Sequence, residues 1–160
     1  MAIPPITDTT ELLDTDQILA AMSVPGRALL SELSLHSQID STNAEAMRRV
    51  EAGAGSGLVC TAEQQTAGRG RRGRQWISPY GSNLYLSLVW EFSAGAVALE
   101  GLSLAVGVAV TDALERMGIA GLSLKWPNDI LCRDAKLGGV LIELAGDPGG
   151  VCSAIVGVGI

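Results

Sequence analysis

An arginine–glycine segment near the middle of the chain has the residue types best suited to chemistry. Residues 68–76 interleave glycine with arginine and end on Trp76, and four of the 11 basic residues fall within Arg69–Arg74. No carboxylate lies between Glu63 and Glu91 to neutralise them locally. Glycine lets the backbone bend, and each guanidinium offers five N–H donors to an oxyanion. The segment therefore predicts a loop that wraps a small molecule carrying phosphate or carboxylate groups.

A solvated basic loop and an arginine–glycine arm for nucleic acid are the alternatives for this segment. The chain as a whole has 17 acidic and 11 basic residues and a net charge of −6, which argues against a nucleic-acid coat. The spacing also matches G-x-G-x-x-G. However, residues 77–81 contain Pro79 and do not open the helix that a dinucleotide-binding turn requires, so that function is excluded.

A second group of polar residues follows a predicted strand. Lys125 begins the run Lys-Trp-Pro-Asn-Asp, and Lys136, 11 positions later, is the only other lysine. We expect the two lysines on neighbouring strands, with both ammonium groups near one site. Pro127 should break the strand and turn the next two side chains, Asn128 and Asp129, out of the sheet. An amide, a carboxylate and a lysine suit a nucleotide with Mg²⁺. A strand-end turn with surface lysines is the alternative.

The third group, residues 40–43, has the sequence Asp-Ser-Thr-Asn and lies at a predicted helix start. Thr42 and Glu45 have capping-box spacing, so the simple interpretation is a helix cap, and ligand binding by the hydroxyls is the alternative. His36, the single histidine, is predicted to be a structural or surface residue. With three scattered cysteines and one histidine, neither a zinc cluster nor a disulfide framework is predicted, which suits a reducing cytoplasm.

Helix and strand signals place these groups on an α+β framework. We predict that residues 1–28 form a lead-in segment with a short helix and that residues 29–160 form one domain. Because the sequence stops at Ile160 inside a predicted strand, we expect this domain to be cut short. Short turns between the later strands require antiparallel pairing. The longest uncharged apolar stretch, Gly101–Thr111, is too short to span a membrane. The predicted helices are Asp16–Met22, ended near Pro25–Gly26, Thr42–Val50, and Ala96–Met117, ended by Gly118; the predicted strands are Leu30–Ile39, Leu58–Ala62, Leu84–Trp90, Leu122–Trp126, Ile130–Cys132, Lys136–Leu144 and Val151–Ile160.

Together and in this order, the three groups resemble the catalytic domain of biotin–protein ligases (biotin–[acetyl-CoA-carboxylase] ligases), over roughly residues 40–160. The resemblance implies the fold of that domain and of class II aminoacyl-tRNA synthetases: a mixed, largely antiparallel sheet flanked by helices. The motifs that carry it are Asp40-Ser41-Thr42-Asn43, Gln65 to Trp76, Ser82-Asn83-Leu84-Tyr85, Lys125 to Asp129, and Lys136-Leu137-Gly138-Gly139.

The resemblance implies a two-step, ATP-dependent reaction that needs Mg²⁺. The carboxylate of biotin attacks the α-phosphate of ATP, and the resulting biotinyl-5′-adenylate transfers biotin to one lysine of a biotin carboxyl carrier domain. That carrier domain belongs to a biotin-dependent carboxylase. The resemblance also allows a homodimer.

The same resemblance assigns roles to individual residues. It assigns catalysis to Arg71, Lys125 and Lys136. It assigns biotin binding to Ser41, Thr42, Asn43, Gln65, Gly68, Arg69, Arg71 and Lys136. It assigns ATP binding to Arg71, Arg74, Trp76, Lys125, Asn128 and Asp129, with Asp129 also as the magnesium ligand.

Two alternatives and two departures belong beside this interpretation. A lipoate–protein ligase uses related adenylation chemistry, and a non-catalytic binding module could use the arginine–glycine loop alone. Many bacterial relatives add an N-terminal winged-helix domain, and relatives continue into a small C-terminal β-barrel. Neither pattern occurs in these 160 residues. We therefore expect no DNA binding by this chain and weak or no activity from it alone.

Overall fold

The computed structural model describes residues 11–160, so the first ten residues of the predicted lead-in lie outside the described residues. The described chain forms four α-helices and seven β-strands in one sheet. In chain order the elements are α1 (Thr15–Ala21), α2 (Val24–Leu29), β1 (Glu32–His36), α3 (Thr42–Glu51), β2 (Leu58–Ala62), β3 (Tyr85–Phe92), α4 (Leu102–Arg116), β4 (Leu122–Lys125), β5 (Asp129–Cys132), β6 (Ala135–Gly146) and β7 (Cys152–Gly159).

The sheet runs in the order β1-β2-β3-β7-β6-β5-β4. Only β1 and β2 pair in parallel, and every other neighbouring pair is antiparallel. The short turns after β4, β5 and β6 enforce this pairing, since a chain that reverses within a few residues runs back beside itself. The predicted α+β fold with a largely antiparallel sheet is therefore confirmed.

The two longer helices cover opposite faces of the sheet. On one face, Ala46 of α3 packs with Leu58, Val89 and Ile155. On the other face, α4 packs against a cluster that includes Ala154 and Val156. Because neighbouring residues of a strand point to opposite faces, β7 supplies both cores, and its buried run of residues 152–158 follows from that.

The N-terminal helices differ from the prediction. Helix α1 is capped by Asp14, whose carboxylate accepts the N–H of Gln17 at 2.8 Å, and it ends at Ala21. Pro25 lies in the first turn of α2 rather than beyond the end of a helix. Proline is tolerated in a first turn because its missing N–H would have no partner there. The prediction that Pro25 ends a helix was wrong, since this proline begins one. The next predicted strand, Leu30–Ile39, is shorter, at Glu32–His36.

The long predicted helix over residues 96–117 is also wrong at its start. A short 3₁₀ helix occupies Ala96–Leu99, and α4 begins only after Gly101, whose φ of +79° is left-handed. A left-handed residue breaks the helical path, and glycine adopts that conformation without steric cost. The other end is as predicted, because Gly118 follows the last turn with a φ of +90°. None of the helices within residues 11–160 has both the length and the hydropathy to cross a membrane.

Candidate active site

The cavity that contains most of the predicted site residues lies on the α3 side of the sheet and has a volume of about 650 Å³. The start of α3, the arginine–glycine loop, the β4–β5 turn, and strands β6 and β7 all line it. Among the described residues, its lining contains five basic side chains and one acidic side chain. The basic residues are Arg69, Arg71, Arg72, Arg74 and Lys136, and the acidic one is Asp129. In a chain with net charge −6, this concentration of positive charge favours an anionic ligand.

The arginine–glycine loop is held in shape by its own backbone. The Gly70 N–H donates to the Arg74 carbonyl at 2.7 Å, and the Trp76 N–H donates to the Gly68 carbonyl at 2.9 Å. A Cβ at Gly68 would lie 2.5 Å from the Trp76 carbonyl oxygen, so this approach requires glycine. Gly68 itself is buried and lies outside the described cavity lining, which gives it a structural part in the loop.

A side-chain contact joins the loop to the β4–β5 turn, and further contacts hold that turn and β5 against β6. The Arg71 guanidinium donates to Asn128 Oδ1 at 3.1 Å, and Asn128 Nδ2 donates to the Val140 carbonyl at 3.0 Å. Lys136 Nζ donates to Asp129 Oδ1 at 2.7 Å. Guanidinium, amide, ammonium and carboxylate groups therefore meet at one end of the cavity, as the sequence groups predicted.

The two lysines do not lie on neighbouring strands, so that prediction was wrong. Lys125 ends β4, Lys136 lies near the start of β6, and β5 runs between them. The turn at Asp134 joins β5 to β6, not the strands that carry the lysines. Lys125 is exposed and lies outside the described cavity lining, while Lys136 lies within it.

Trp76 forms one wall of the cavity. A Cβ at Gly159 would lie 2.7 Å from two indole atoms, so the ring rests directly on the β7 backbone. Lys136 Nζ lies 5.3 Å from the centre of the ring, within range of a cation–π interaction. The indole Nε1 is buried and has no hydrogen-bond partner within residues 11–160.

Neutral polar side chains form the opposite end of the cavity. Gln65 Oε1 accepts from the Thr42 N–H at 2.9 Å, and Gln65 Nε2 donates to Ser78 Oγ at 3.0 Å. Asn43 Nδ2 donates to Glu143 Oε2 at 2.8 Å. Thr42, Asn43 and Ser78 are almost fully buried, Gln65 and Glu143 are partly buried, and the hydrogen bonds hold their polar groups in place.

Helix α3 begins where the sequence predicted, with a different cap. Ser41 Oγ accepts from the Ala44 N–H at 3.5 Å, and Ser41, rather than Thr42, is the N-cap. Glu45 pairs with Arg48 at 2.9 Å. Arg48 also binds both carboxylate oxygens of Asp40, at 2.8 and 2.9 Å, and so fixes the chain just before the helix.

The Asp40–Arg48 pair predicts a pH dependence. The Asp40 carboxylate accepts hydrogen bonds from Arg48 and from the Ser41 N–H, and these lower its pKa from 3.8 to about 2. Because the folded-state pKa is the lower one, the stabilisation is fully present above about pH 4 and is lost as pH falls through about 2. We expect Arg48→Met to return the pKa of Asp40 toward 3.8, measured by NMR titration of its carboxyl carbon. An unchanged pKa would contradict the assigned cause.

Several site residues were not found from the sequence. Ser87 and Glu143 contact Asn43, while Gly157 and Gly159 make room for Asn43 and Trp76. One signal was available, because Glu143 interrupts the apolar run of β6. Its partner, however, lies 100 residues away in the sequence, which no local pattern reveals.

Comparisons with known proteins agree with this geometry. Residues 35–160 match the model of the Biotin/lipoate A/B protein ligase family. The chain is 41% identical over 155 residues to the "Bifunctional ligase/repressor BirA" of Salmonella typhimurium, covering 97% of this chain and 46% of that protein. It is 43% identical over 123 residues to the "Biotin--[acetyl-CoA-carboxylase] ligase" of Paracoccus denitrificans, covering 76% of this chain and 50% of that protein.

A solved structure gives the same result. The biotin protein ligase of Aquifex aeolicus in complex with biotin and ATP superposes with a TM-score of 0.65 and is 34% identical, covering 82% of this chain and 52% of that one. The chain thus spans about half the length of the relatives it matches. Because the family match covers most of the chain and includes the loop, both lysines and the α3 start, this chain belongs to the biotin/lipoate A/B protein ligase family.

Proposed function

We propose that this chain supplies the biotin- and ATP-binding part of a biotin–protein ligase, which attaches biotin to a carrier-domain lysine through biotinyl-5′-adenylate. The observation that carries the proposal is one cavity with a neutral polar end and a cationic end. Biotin has the matching division, with a neutral ureido ring at one end and a carboxylate at the other.

The polar end is assigned to the biotin ring. Ser41, Thr42, Asn43 and Gln65 line it, and hydrogen bonds between Thr42 and Gln65, from Asn43 to Glu143 and from the Ala44 N–H to Ser41 keep them in place before a ligand arrives. The backbone at Gly68 and Arg69 follows directly along the loop. A rigid polar site of this kind rejects ligands that leave its buried groups unpaired.

The cationic end is assigned to the reaction. A carboxylate and a triphosphate must approach each other, and fixed cations lower their repulsion and stabilise the charge that develops on the transferring phosphate. Arg71, Arg74 and Lys136 are the cations assigned to this task. No side-chain nucleophile is needed, since the substrate carboxylate attacks phosphorus itself.

The nucleotide is assigned to the side formed by Trp76, Asn128 and Asp129, and Lys125 is assigned a phosphate contact from outside the lining. The described residues contain no cluster of three metal-ligating side chains. A single carboxylate, Asp129, instead fits Mg²⁺ that arrives with ATP, because this ion commonly keeps its waters and binds one or two carboxylates besides phosphate oxygens. When bound, Mg²⁺ would offset phosphate charge, while Asp129 and Asn128 orient the nucleotide.

The second step requires a protein partner, a biotin carboxyl carrier domain of a biotin-dependent carboxylase, whose lysine amine attacks the mixed anhydride. We place this chemistry in the cytoplasm, where the three cysteines stay reduced, with a homodimer as an allowed assembly and no DNA contact by this chain.

Calorimetry and pyrophosphate release together test the proposal. We expect the chain to bind biotin in preference to lipoate and, in a protein extended to the length of the curated relatives, we expect biotin to increase pyrophosphate release from ATP–Mg²⁺. Lipoate serves as the matched competitor because its chemistry of activation is the same. Equal or tighter binding of lipoate, or no binding of biotin, would contradict the proposal.

A further inference from the structure

A chain of hydrogen bonds runs from Glu143, whose side chain is 27% exposed, to the buried Thr42. Glu143 Oε2 accepts from Asn43 Nδ2 at 2.8 Å, and Ser87 Oγ lies 2.5 Å from Asn43 Oδ1 and 2.8 Å from Thr42 Oγ1. Ser87 is 0% exposed, and Thr42 and Asn43 are 4% exposed. With water excluded, the protein itself decides which group of each pair donates.

The Glu143 carboxylate at one end sets which group donates and which accepts along the whole chain of hydrogen bonds. Glu143 and the Leu141 carbonyl, at 3.4 Å, offer only acceptors, so the amide nitrogen of Asn43 faces them and its oxygen faces Ser87. An amide oxygen accepts only, so Ser87 donates its single hydroxyl proton to Asn43. Ser87 must then accept the hydroxyl proton of Thr42.

This direction leaves Thr42 with a defined face toward the cavity. The hydroxyl proton of Thr42 points to Ser87, so Thr42 Oγ1 can only accept a hydrogen bond from a ligand. Gln65 Oε1 is a second acceptor, at 3.2 Å from Thr42 Oγ1, but Ser87 Oγ is nearer at 2.8 Å and, with its own proton on Asn43, must accept the Thr42 proton. Thr42 is therefore an acceptor for a ligand N–H group.

We propose that Glu143 is a positioning residue that sets this direction and thereby makes the cavity selective for a ligand with an N–H donor at Thr42. The proposal rests on the proposed function, because the ureido ring of biotin has two N–H donors. Arg69, whose guanidinium approaches Glu143 Oε2 at 3.2 Å, supplies the counter-charge for this carboxylate from the loop. Without the carboxylate, Asn43 can turn its amide over, which reverses Ser87 and makes Thr42 a donor.

Binding of donor-deleted ligands tests the direction. The probes are biotin and the two cyclic carbamate analogues in which a ring oxygen replaces one or the other ureido N–H. We expect the wild type to prefer biotin over one analogue by about tenfold or more, since an unmade buried hydrogen bond costs about that much. We expect Glu143→Met to reduce this preference to below about threefold, because its Thr42 is no longer held as an acceptor.

Two further variants separate direction from general damage. Glu143→Gln keeps a carbonyl acceptor for Asn43 and should keep the preference. Ser87→Ala leaves the Arg69–Glu143 pair in place but interrupts the chain of hydrogen bonds, so this variant should lose the preference for biotin. It decides the question if Glu143→Met does not fold. The matched control is Glu115→Met, which removes an exposed carboxylate from α4 and should change neither affinity nor preference.

A ligand-free measurement separates this proposal from the proposed function. Within the described residues, side-chain hydrogen bonds link Glu143 to Thr42 through Asn43 and Ser87, and Thr42 is also the backbone neighbour of Asn43, so the coupling carried by the hydrogen bonds is the part that Ser87→Ala removes. We expect the losses in thermal midpoint of Glu143→Met and Thr42→Val to be non-additive. Non-additive losses without biotin binding would support the chain of hydrogen bonds and overturn the proposed function. Biotin binding with an unchanged preference in Glu143→Met and additive losses would overturn the role of Glu143 alone.

Discussion

Lys136→Met is expected to lower biotin-dependent pyrophosphate release about 100- to 1,000-fold, the usual effect of removing one group that stabilises developing negative charge. Lys136 is the only lysine in the described cavity lining, and it lies against Asp129 and over the Trp76 ring. The substitution has a second cost, because Asp129 would lose its counter-charge and repel the incoming anions. Steady-state pyrophosphate release with ATP–Mg²⁺ and biotin measures the effect, in a protein extended to the length of the curated relatives because these 160 residues alone are expected to have little activity.

Three comparisons define what the Lys136 result means. Lys136→Arg keeps the charge and should recover part of the activity. Arg116→Met removes an exposed positive charge from the last turn of α4 and should leave the rate unchanged. Lys125→Met tests the role that the resemblance gave to Lys125, and we expect it to lose much less activity than Lys136→Met. A loss below tenfold in Lys136→Met would contradict direct action on the reacting anions.

Gly157→Ala is expected to destabilise the fold by about 3 kcal/mol, which corresponds to a fall in melting temperature of about 6–12 °C for a chain of this size. A Cβ at this position would lie 2.2 Å from Asn43 Oδ1. Asn43 cannot simply move away, since it is buried and bonded to Ser87 on β3 and to Glu143 on β6. The substitution must therefore displace the start of α3, and biotin binding should weaken as well.

The sign of this effect is what makes it informative. Replacing a strand glycine by alanine normally stabilises a protein by about 0.5–1 kcal/mol through the entropy of the unfolded chain. Gly149→Ala is the matched control, because its Cβ would meet only Asp147 Oδ1 at an ordinary 3.5 Å. Thermal unfolding of both variants, followed by circular dichroism, gives the comparison. An unchanged or raised melting temperature in Gly157→Ala would show that Asn43 does not occupy this position.

Local signals were sufficient for much of the framework. The short turns after β4, β5 and β6 predicted antiparallel pairing, and Gly118 predicted the end of α4, because turns and caps are determined by a few adjacent residues. Gly101 shows the limit of such signals. Its neighbours, Glu100 and Leu102, are both helix-compatible, so the sequence pattern continued through a position where the backbone is left-handed.

The sequence by itself identified the groups of residues that carry charge and polarity: the arginine–glycine loop, the Lys125–Asp129 run, and the α3 start. Residue types and short spacings are sufficient for that, and the roles of the individual residues stay predictions. Only the tertiary structure decided that Lys136 lines the cavity while Lys125, two strands further out, does not. It also decided that Glu143 and Gly157 belong to the site. The reason is physical: these contacts join strands and helices about 100 residues apart, and they depend on sheet order and close packing, which no local pattern encodes.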